Sequence, residues 1–471
     1  MDQPFDVAII GAGSAGLSAL REVRKHTDNF VLINDGPYGT TCARVGCMPS
    51  KALIEVANAF DRRSVFKAFG IGGADGLSVD MAAVLRHVRA LRDSFVAGVV
   101  HVTNALGERS LQGRAQFIGP QMLEVNGETI SARRIVIATG SRPLVPEAWR
   151  AWGARVMTSD DLFEQATLPR HMAVVGLGGI GLEMAQALSR LGLEVHGFDA
   201  AQHLAGVTDP VVSQALIDIL SGQFAIHLGA SAELQAHGER MQVSAGNTRV
   251  VVDKVLVALG RRPHVNHLGL DRLGVELDER GVPQFNPQTM QIGDLPIYIA
   301  GDANAHRFLL HEAADEGHIA GHNAARAQPE CFARRTPLGI VFTDPNVASV
   351  GRAYADLQAG EAVIGAVDFK GQGRSRMGAQ DHGHLRIYAA RQSGELLGAE
   401  LCVPHGEHLA HLLALAVQSK LSVRDVLRMP FYHPVLEEGL RSALRDAAGR
   451  LQGSEAADLA FCDRLGTAGL E

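Results

Sequence analysis

Two cysteines five positions apart, Cys42 and Cys47, carry the sharpest chemical signal in this sequence. The other three cysteines are scattered, so no second close pair completes a four-thiolate zinc set, and no metal is expected. The spacing is wider than C-x-x-C. On a straight helix, Cα atoms five residues apart stand roughly 8.7 Å from each other. A disulfide needs less than about 7 Å. A bond between these two residues therefore requires a distorted turn, and Gly46 supplies the freedom for one. A strained disulfide is easily reduced, which suits a redox-active pair. A helix start close by would also lower a thiolate pKa.

Two glycine patterns mark places where phosphates could sit. Gly11, Gly13 and Gly16 form G-x-G-x-x-G between the strand-like run Val7–Ile10 and a helix through Leu20 to about Lys25. The first glycine makes the tight turn, the second lets backbone approach a pyrophosphate, and the third lets the helix pack closely on the strand. The helix N-terminus then faces the phosphates. Gly176, Gly178 and Gly181 repeat the pattern between Met172–Val175 and a helix carrying Glu183 to Leu191. Two such units imply two nucleotide ligands. Asp199 lies 23 positions after Gly176, at the end of the strand that begins at Glu194. A carboxylate there accepts from a ribose 2′-OH and repels a 2′-phosphate. Ala200 and Ala201 bring no arginine for a phosphate, so NAD is expected rather than NADP. The same count from Gly11 reaches Asn34, a weaker ribose partner than a carboxylate.

The elements that must position these residues are short buried strands and the turns that follow them. Ile135–Ala138 leads into Thr139-Gly140-Ser141-Arg142-Pro143, and Lys254–Leu259 leads into Gly260-Arg261-Arg262-Pro263. The repeat of apolar strand, Gly, Arg and Pro suggests two halves of related design. Ile297–Ala300 ends in Gly301-Asp302. After about residue 335 the glycine-rich turns thin out, and His408–Gln418 reads as an amphipathic helix of a further domain. The length of 471 residues calls for several domains. With 46% hydrophobic and 20% charged residues, the composition is that of a soluble globular protein. A net charge of −7 and the lack of a basic run argue against a nucleic-acid partner, and none is expected. No run of about 18 apolar residues is present, so no membrane span is expected. No signal peptide opens the chain, and with few cysteines the expected location is cytoplasmic.

Gly39-Thr40-Thr41-Cys42-Ala43-Arg44-Val45-Gly46-Cys47-Met48-Pro49-Ser50-Lys51 resembles the active-site signature of the class I pyridine nucleotide–disulfide oxidoreductases. Its Pro-Ser-Lys ending is similar to the dihydrolipoyl dehydrogenase branch more than to glutathione reductase. Both glycine fingerprints, Ala138-Thr139-Gly140, Gly260-Arg261-Arg262-Pro263 and Gly301-Asp302 fall in the family's order. Val341-Phe342-Thr343-Asp344-Pro345 resembles the opening of its interface domain, and Phe431-Tyr432-His433-Pro434-Val435-Leu436-Glu437-Glu438 its C-terminal signature.

The resemblance implies an α/β chain with two Rossmann-like dinucleotide-binding domains plus a C-terminal α+β interface (dimerisation) domain. Residues 1–149 and 270–335 would form a discontinuous FAD-binding domain, 150–269 the NAD-binding domain and 336–450 the interface domain, with 451–471 as a tail. FAD would lie across the first fold, its pyrophosphate on Gly11, Gly13 and Gly16 and its ribitol on Asp302. Asn34, Thr139, Gly140 and Gly260 would join the cofactor contacts. Lys51 would sit near the flavin and pair with Glu183. Cys47 would be the thiol nearest the flavin and Cys42 the one exchanging with substrate. The attacking species is a thiolate, so a base is needed. His433 would be that acid/base, oriented by Glu438. In the family this histidine reaches the disulfide of the other subunit, so an obligate homodimer with shared active sites is implied.

The activity implied is electron transfer between a dithiol/disulfide substrate and NAD through FAD. Dihydrolipoyl groups lead, carried on a lipoyl domain of a 2-oxoacid dehydrogenase complex. Two alternatives stand beside this: an NAD(P)H-dependent reductase of another disulfide, and a non-catalytic flavin redox sensor. Three positions depart from the family pattern. Thr40 replaces a glycine, Asn34 an acid, and Phe431 stands where a histidine is usual. Cys331 and Cys402 read as buried small side chains. The tail has one cysteine, Cys462, and no redox pair.

Overall fold

The computed structural model describes residues 3–451; the expectations for the tail, Cys462 included, lie outside the described residues. The chain divides into two compact units. The first takes the stretch ending at Leu53, Asp80–Leu168 and Leu259–Arg334; the second takes Ile54–Val79, Pro169–Ala258 and the chain from Arg335.

The first unit is built on a parallel sheet. Its strands run Ser110–Gln112, Phe30–Asn34, Phe5–Ile10, Glu128–Ile137 and Ile297–Ile299 across the sheet. Val7, Ala8 and Ile9 are wholly buried, as befits a central strand covered on both faces. The strand expected from Ile135 begins earlier, at Glu128. Its first half pairs antiparallel with Met122–Val125 through a tight turn at Asn126 and Gly127, both at positive φ. Asn-Gly is the residue pair such hairpin turns require.

The helix of the first glycine pattern, Ser14–Val23, packs against the helix Leu310–Ala324. The contact is backbone to backbone. A Cβ on Gly317 would stand 2.2 Å from the Ala15 carbonyl oxygen, and one on Gly321 2.4 Å from that of Ala19. Two glycines four apart lie on one helix face, so together they make a flat landing for the partner helix. Any side chain there would force the two helices apart.

The second unit holds two sheets and a ribbon. A parallel sheet runs Ala225–Leu228, Glu194–Asp199, His171–Val175 and Lys254–Val257. Glu233–His237, Arg240–Ala245 and Thr248–Val252 form an antiparallel ribbon. From Leu338 a five-stranded antiparallel sheet follows, in the order Leu338–Val341, Asn346–Gly351, Leu396–Val403, His384–Ala390 and Ala362–Asp368. The helices Gly406–Gln418 and Glu437–Arg450 bury Leu409, Leu413, Leu440 and Leu444 against Leu385, Ile387, Ala399 and Leu401. The α/β class with a C-terminal α+β portion is as expected.

Two wholly buried carboxylates join the parallel and antiparallel parts of this unit. Glu400 accepts from the Thr208 and Asp209 amides at 2.8 and 2.7 Å, from the Thr208 hydroxyl at 2.6 Å and from the Tyr354 amide at 3.1 Å. Asp209 accepts from Arg386 at 2.8 Å and from the Tyr388 hydroxyl at 3.0 Å. Burial and these neighbouring carboxylates push the Tyr388 phenol far up, so it stays a donor.

Substituting Gly317→Ala inserts a methyl group against backbone that has no rotamer with which to yield. We expect about 1–3 kcal/mol of destabilisation in urea unfolding. An unchanged midpoint would mean that the two helices can move apart at no cost.

Candidate active site

The cysteine pair sits at a break between two helices. Thr41–Val45 is helical, and a second helix starts at Cys47 and runs to Asp61. Between them Gly46 adopts φ −118 and ψ −118, outside any helical geometry. A Cβ on Gly46 would meet the Thr41 carbonyl oxygen at 3.1 Å and Cys42 Cα at 3.2 Å, so the fold of the turn onto itself uses the missing side chain. The distortion demanded by the five-residue spacing is therefore present, and Gly46 is where it lies.

Cys42 is half-buried and Cys47 exposed, both as thiols. A hydrogen bond with Cys47 and then burial hold the Cys42 thiol well above its ordinary pKa, while the charge of Lys51 pulls the other way. Lys51 lies in the first turns of the Cys47–Asp61 helix. At Cys42 the neighbouring sulfur and burial therefore outweigh the lowering expected from a nearby helix start.

Thr40, in the place of a usual glycine, carries the turn into the helix. Its backbone stands at φ 58 and ψ 151, a region open almost only to glycine. Its hydroxyl accepts from the Ala43 amide at 3.1 Å and so caps the helix it strains.

The two glycine patterns are built alike. Gly11 has φ +109, and a Cβ on it would strike the Ala138 carbonyl oxygen at 2.2 Å. A Cβ on Gly16 would stand 1.8 Å from the Gly11 carbonyl oxygen, and Gly181 has the same relation to Gly176. Gly13 and Gly178, by contrast, face open space. Each is the N-cap of its helix without any side-chain cap. Their first-turn amides therefore point at a cradle left for an anion.

Asn34 and Asp199 occupy equivalent places. The Ala12 amide donates to Asn34 Oδ1 at 3.0 Å, and the Leu177 amide donates to Asp199 Oδ2 at 2.6 Å. The carboxamide keeps the turn-holding bond of the carboxylate, and its Nδ2 donates to the Gly36 carbonyl at 2.8 Å. Asp199 Oδ1 accepts instead from the Ala201 amide at 2.8 Å.

Thr139 and Gly140 follow the strand Glu128–Ile137, and Thr139 Oγ1 is buried with no hydrogen-bond partner among the described residues. Such an orphan is costly unless a ligand satisfies it. Gly140 and Gly260 both have positive φ and open space where a Cβ would stand. Gly260 opens a short strand, Arg261–Pro263, that pairs antiparallel with Ser141–Pro143. Asp302 follows Gly301 in a single turn, Gly301–Asn304.

In the second unit, His433 Nδ1 lies 3.0 and 3.1 Å from the two oxygens of Glu438. An ionised carboxylate only accepts, so Nδ1 is the donor of this pair. The hydrogen bond with His433 holds the Glu438 carboxyl below its usual range, so the acceptor stays charged in acid beyond an ordinary glutamate. The His433 side chain is exposed. Glu183 is buried in the helix Gly179–Arg190 and accepts from the Phe342 amide at 2.9 Å.

Two further positions complete the comparison with expectation. Phe431 packs against the core of the C-terminal sheet, with the Arg441 guanidinium 5.7 Å over its ring. Its apolar ring serves packing in the place of an imidazole. Cys402 is buried as expected, but Cys331 is exposed. It lies in the irregular stretch between Leu310–Ala324 and Leu338–Val341, and such connections run over the surface. Sequence reading also missed the Asp209–Glu400 network and the positive φ of Thr40; the paired Gly317 and Gly321 were the one available signal for the helix contact.

Residues 5–325 match the family described as pyridine nucleotide-disulphide oxidoreductase, and residues 338–444 match that family's dimerisation domain. This chain belongs to that family. Curated relatives include dihydrolipoyl dehydrogenases from Chlamydia muridarum, 31% identical, and Thermus scotoductus, 30% identical, each match covering 93% of this chain and 96% of the relative. Among solved structures, the HOCl-induced flavoprotein disulfide reductase RclA from Escherichia coli superposes with a TM-score of 0.82 at 22% identity, covering 94% of this chain and 99% of its own. LpdA from Mycobacterium tuberculosis gives a TM-score of 0.82 at 23% identity, covering 93% and 98%. These two share the fold.

The protein is an FAD-dependent, NAD-linked disulfide oxidoreductase, most like dihydrolipoyl dehydrogenase, and its dimerisation domain makes it a homodimer. The residues fit the two cofactors. The open N-termini at Gly13 and Gly178 suit two pyrophosphates, and the unpartnered Thr139 hydroxyl suits a ligand group in the first unit. No helix among the described residues is long and apolar enough to cross a membrane.

Thr40→Gly removes a residue from a backbone region that costs about 1–3 kcal/mol. The lost cap and the looser unfolded chain offset part of this. We expect a net gain of roughly 1 kcal/mol in urea unfolding. A loss of stability instead would show that the Thr40–Ala43 bond outweighs the strain.

Proposed function

We propose that the protein oxidises dihydrolipoyl groups, with Cys42 and Cys47 as the redox pair. The observation that carries this substrate is likeness to dihydrolipoyl dehydrogenases along 93% of the chain. A substrate thiolate attacks Cys42 Sγ of the Cys42–Cys47 disulfide, and Cys47 leaves as a thiolate. The second substrate thiolate then attacks the substrate sulfur bound to Cys42, releasing the substrate as a disulfide. Two electrons now rest on the cysteine pair. His433 takes the substrate proton through Nε2, and Glu438 holds the imidazole and balances the charge it gains. When bound, FAD supplies the two-electron carrier between this pair and NAD.

The other roles follow the same reading. Gly11, Gly13, Gly16, Asn34, Thr139, Gly140, Gly260 and Asp302 serve FAD, with Lys51 near the flavin and Glu183 as its counter-charge. Gly176, Gly178, Gly181 and Asp199 serve NAD. Residues 1–149 and 270–335, 150–269 and 336–450 are the FAD, NAD and interface domains. His433 serves the cysteine pair of the other protomer. A lipoyl domain is the partner, and the cytoplasm is the location. Phe431, standing where the family pattern has histidine, favours a second reading, reduction of another low-molecular-weight disulfide.

Purified holoenzyme should reduce lipoamide with NADH far faster than it reduces glutathione disulfide, and NADPH should serve poorly. Equal or slower turnover of lipoamide would remove dihydrolipoyl groups as the substrate. His433→Gln should slow reduction of the enzyme by dihydrolipoamide by a hundredfold or more, within the roughly 10²–10⁴ range of general-base catalysis. A near-normal rate in a stopped-flow trace would take His433 out of the reaction.

A further inference from the structure

The repeated Gly-Arg-Pro blocks have a physical meaning within the first unit. Ser141–Pro143 and Arg261–Pro263 pair antiparallel, with Pro263 opposite Ser141 and Arg261 opposite Pro143. The Leu144 amide extends the contact by donating to the Gly260 carbonyl at 2.9 Å. This ribbon brings one side chain of each block to Asp302.

Arg261 Nε donates to Ser141 Oγ at 2.7 Å, and Arg261 Nη2 donates to the Ser141 carbonyl at 2.9 Å. The guanidinium thus grips Ser141 with two donors in its fixed plane. It has no acceptor, so the Ser141 hydroxyl proton must point elsewhere. It donates to Asp302 Oδ2. Arg261 Nε is itself 3.8 Å from that same oxygen. Arg261 and Asp302 are both mostly buried, with side-chain exposures of 12% and 22%. The result is a one-way relay: guanidinium to hydroxyl, hydroxyl to carboxylate.

The relay spends one carboxylate oxygen and spares the other. No donor among the described residues meets Asp302 Oδ1. The backbone beneath is also held. Glu316, almost wholly buried, accepts from the Gly301 amide at 2.8 Å and from Asn304 Nδ2 at 2.7 Å, which locks the turn on either side of Asp302.

We propose that Arg261, acting through Ser141, is a positioning residue for FAD: it fixes the Asp302 carboxylate with one oxygen directed to a polyol hydroxyl of the flavin side chain. The inference rests on the reading that Asp302 binds FAD. Arg261 touches neither flavin nor substrate in this role. Its effect is to hold Asp302 in a single orientation before the cofactor arrives, which removes an ordering cost from binding. Lysine cannot replace it, because a single ammonium group lacks the planar pair of donors that grips both Ser141 oxygens.

The test uses the full-length protein, stripped of flavin and titrated with FAD, with tryptophan fluorescence or flavin quenching as the readout. Asp302→Asn serves as the control for the underlying reading. Ser141→Ala and Arg261→Ala should each weaken FAD binding by about tenfold or more, the size of a lost hydrogen bond to a charged group. Arg261→Lys should recover little of that loss. Thermal unfolding of the flavin-free Ser141→Ala protein should match the parent, since the relay is asked to act on the cofactor. If Asp302→Asn leaves FAD affinity unchanged, the reading of Asp302 itself fails. If Asp302→Asn weakens binding while Ser141→Ala does not, the relay is overturned and Asp302 stands. If Ser141→Ala lowers the flavin-free unfolding midpoint as far as that of the loaded protein, the role is structural and the proposal is equally overturned. Should Arg261→Ala fail to fold, the Ser141→Ala and Arg261→Lys results decide alone.

Discussion

A helix that would otherwise run straight through the redox residues is interrupted at Gly46, and the chemistry depends on that break. Cys42 ends up in one helix and Cys47 at the start of the next. Without the break the pair could not reach bonding distance. The cost of the break is met locally. Thr40 enters the first helix in a backbone region that disfavours side chains and repays part of the strain with its own hydroxyl. Ser50 closes the second helix onto Gly46 and Cys47, its amide donating to the Gly46 carbonyl and its hydroxyl to that of Cys47, each at 3.1 Å.

The two glycine turns obey a different constraint, the close passage of backbone past backbone. Gly11 and Gly16 let strand, turn and helix meet, and Gly176 and Gly181 do so again in the second unit. The duplication extends to the polar residue that steadies each turn. Asn34 and Asp199 both accept from the amide just beyond the first glycine. The amide-for-acid change at position 34 therefore preserves the turn that the carboxyl group of Asp199 holds in the second unit.

What the sequence made legible was what local sterics and spacing dictate. The glycine fingerprints could be read because only glycine meets their contacts. The His433–Glu438 pair could be placed because the family's signature sets the histidine five residues ahead of its acid, and the structure brings the two within hydrogen-bond distance. Less was legible where partners are far apart in the chain. Glu400 is nearly two hundred residues from the Thr208 and Asp209 amides it anchors, and nothing in either segment announces the other. The relay from Arg261 to Asp302 joins three segments, although the repeated Gly-Arg-Pro blocks hinted that two of them belong together. Local detail was lost where one residue overrode a pattern. Asn126-Gly127 extended a strand into a hairpin, and Cys331 followed an exposed connection rather than the burial usual for its type.

The central claim is that Cys42 and Cys47, and no other cysteines, hold the electrons taken from NADH. Anaerobic alkylation followed by peptide mass spectrometry reads this directly on the oxidised holoenzyme, before and after one equivalent of NADH. The account predicts that Cys42 and Cys47 are unmodified before NADH and both labelled after it, with Cys331 labelled equally in each case. Labelling of Cys42 and Cys47 that does not depend on NADH would contradict it, because the pair would then never have stored the electrons.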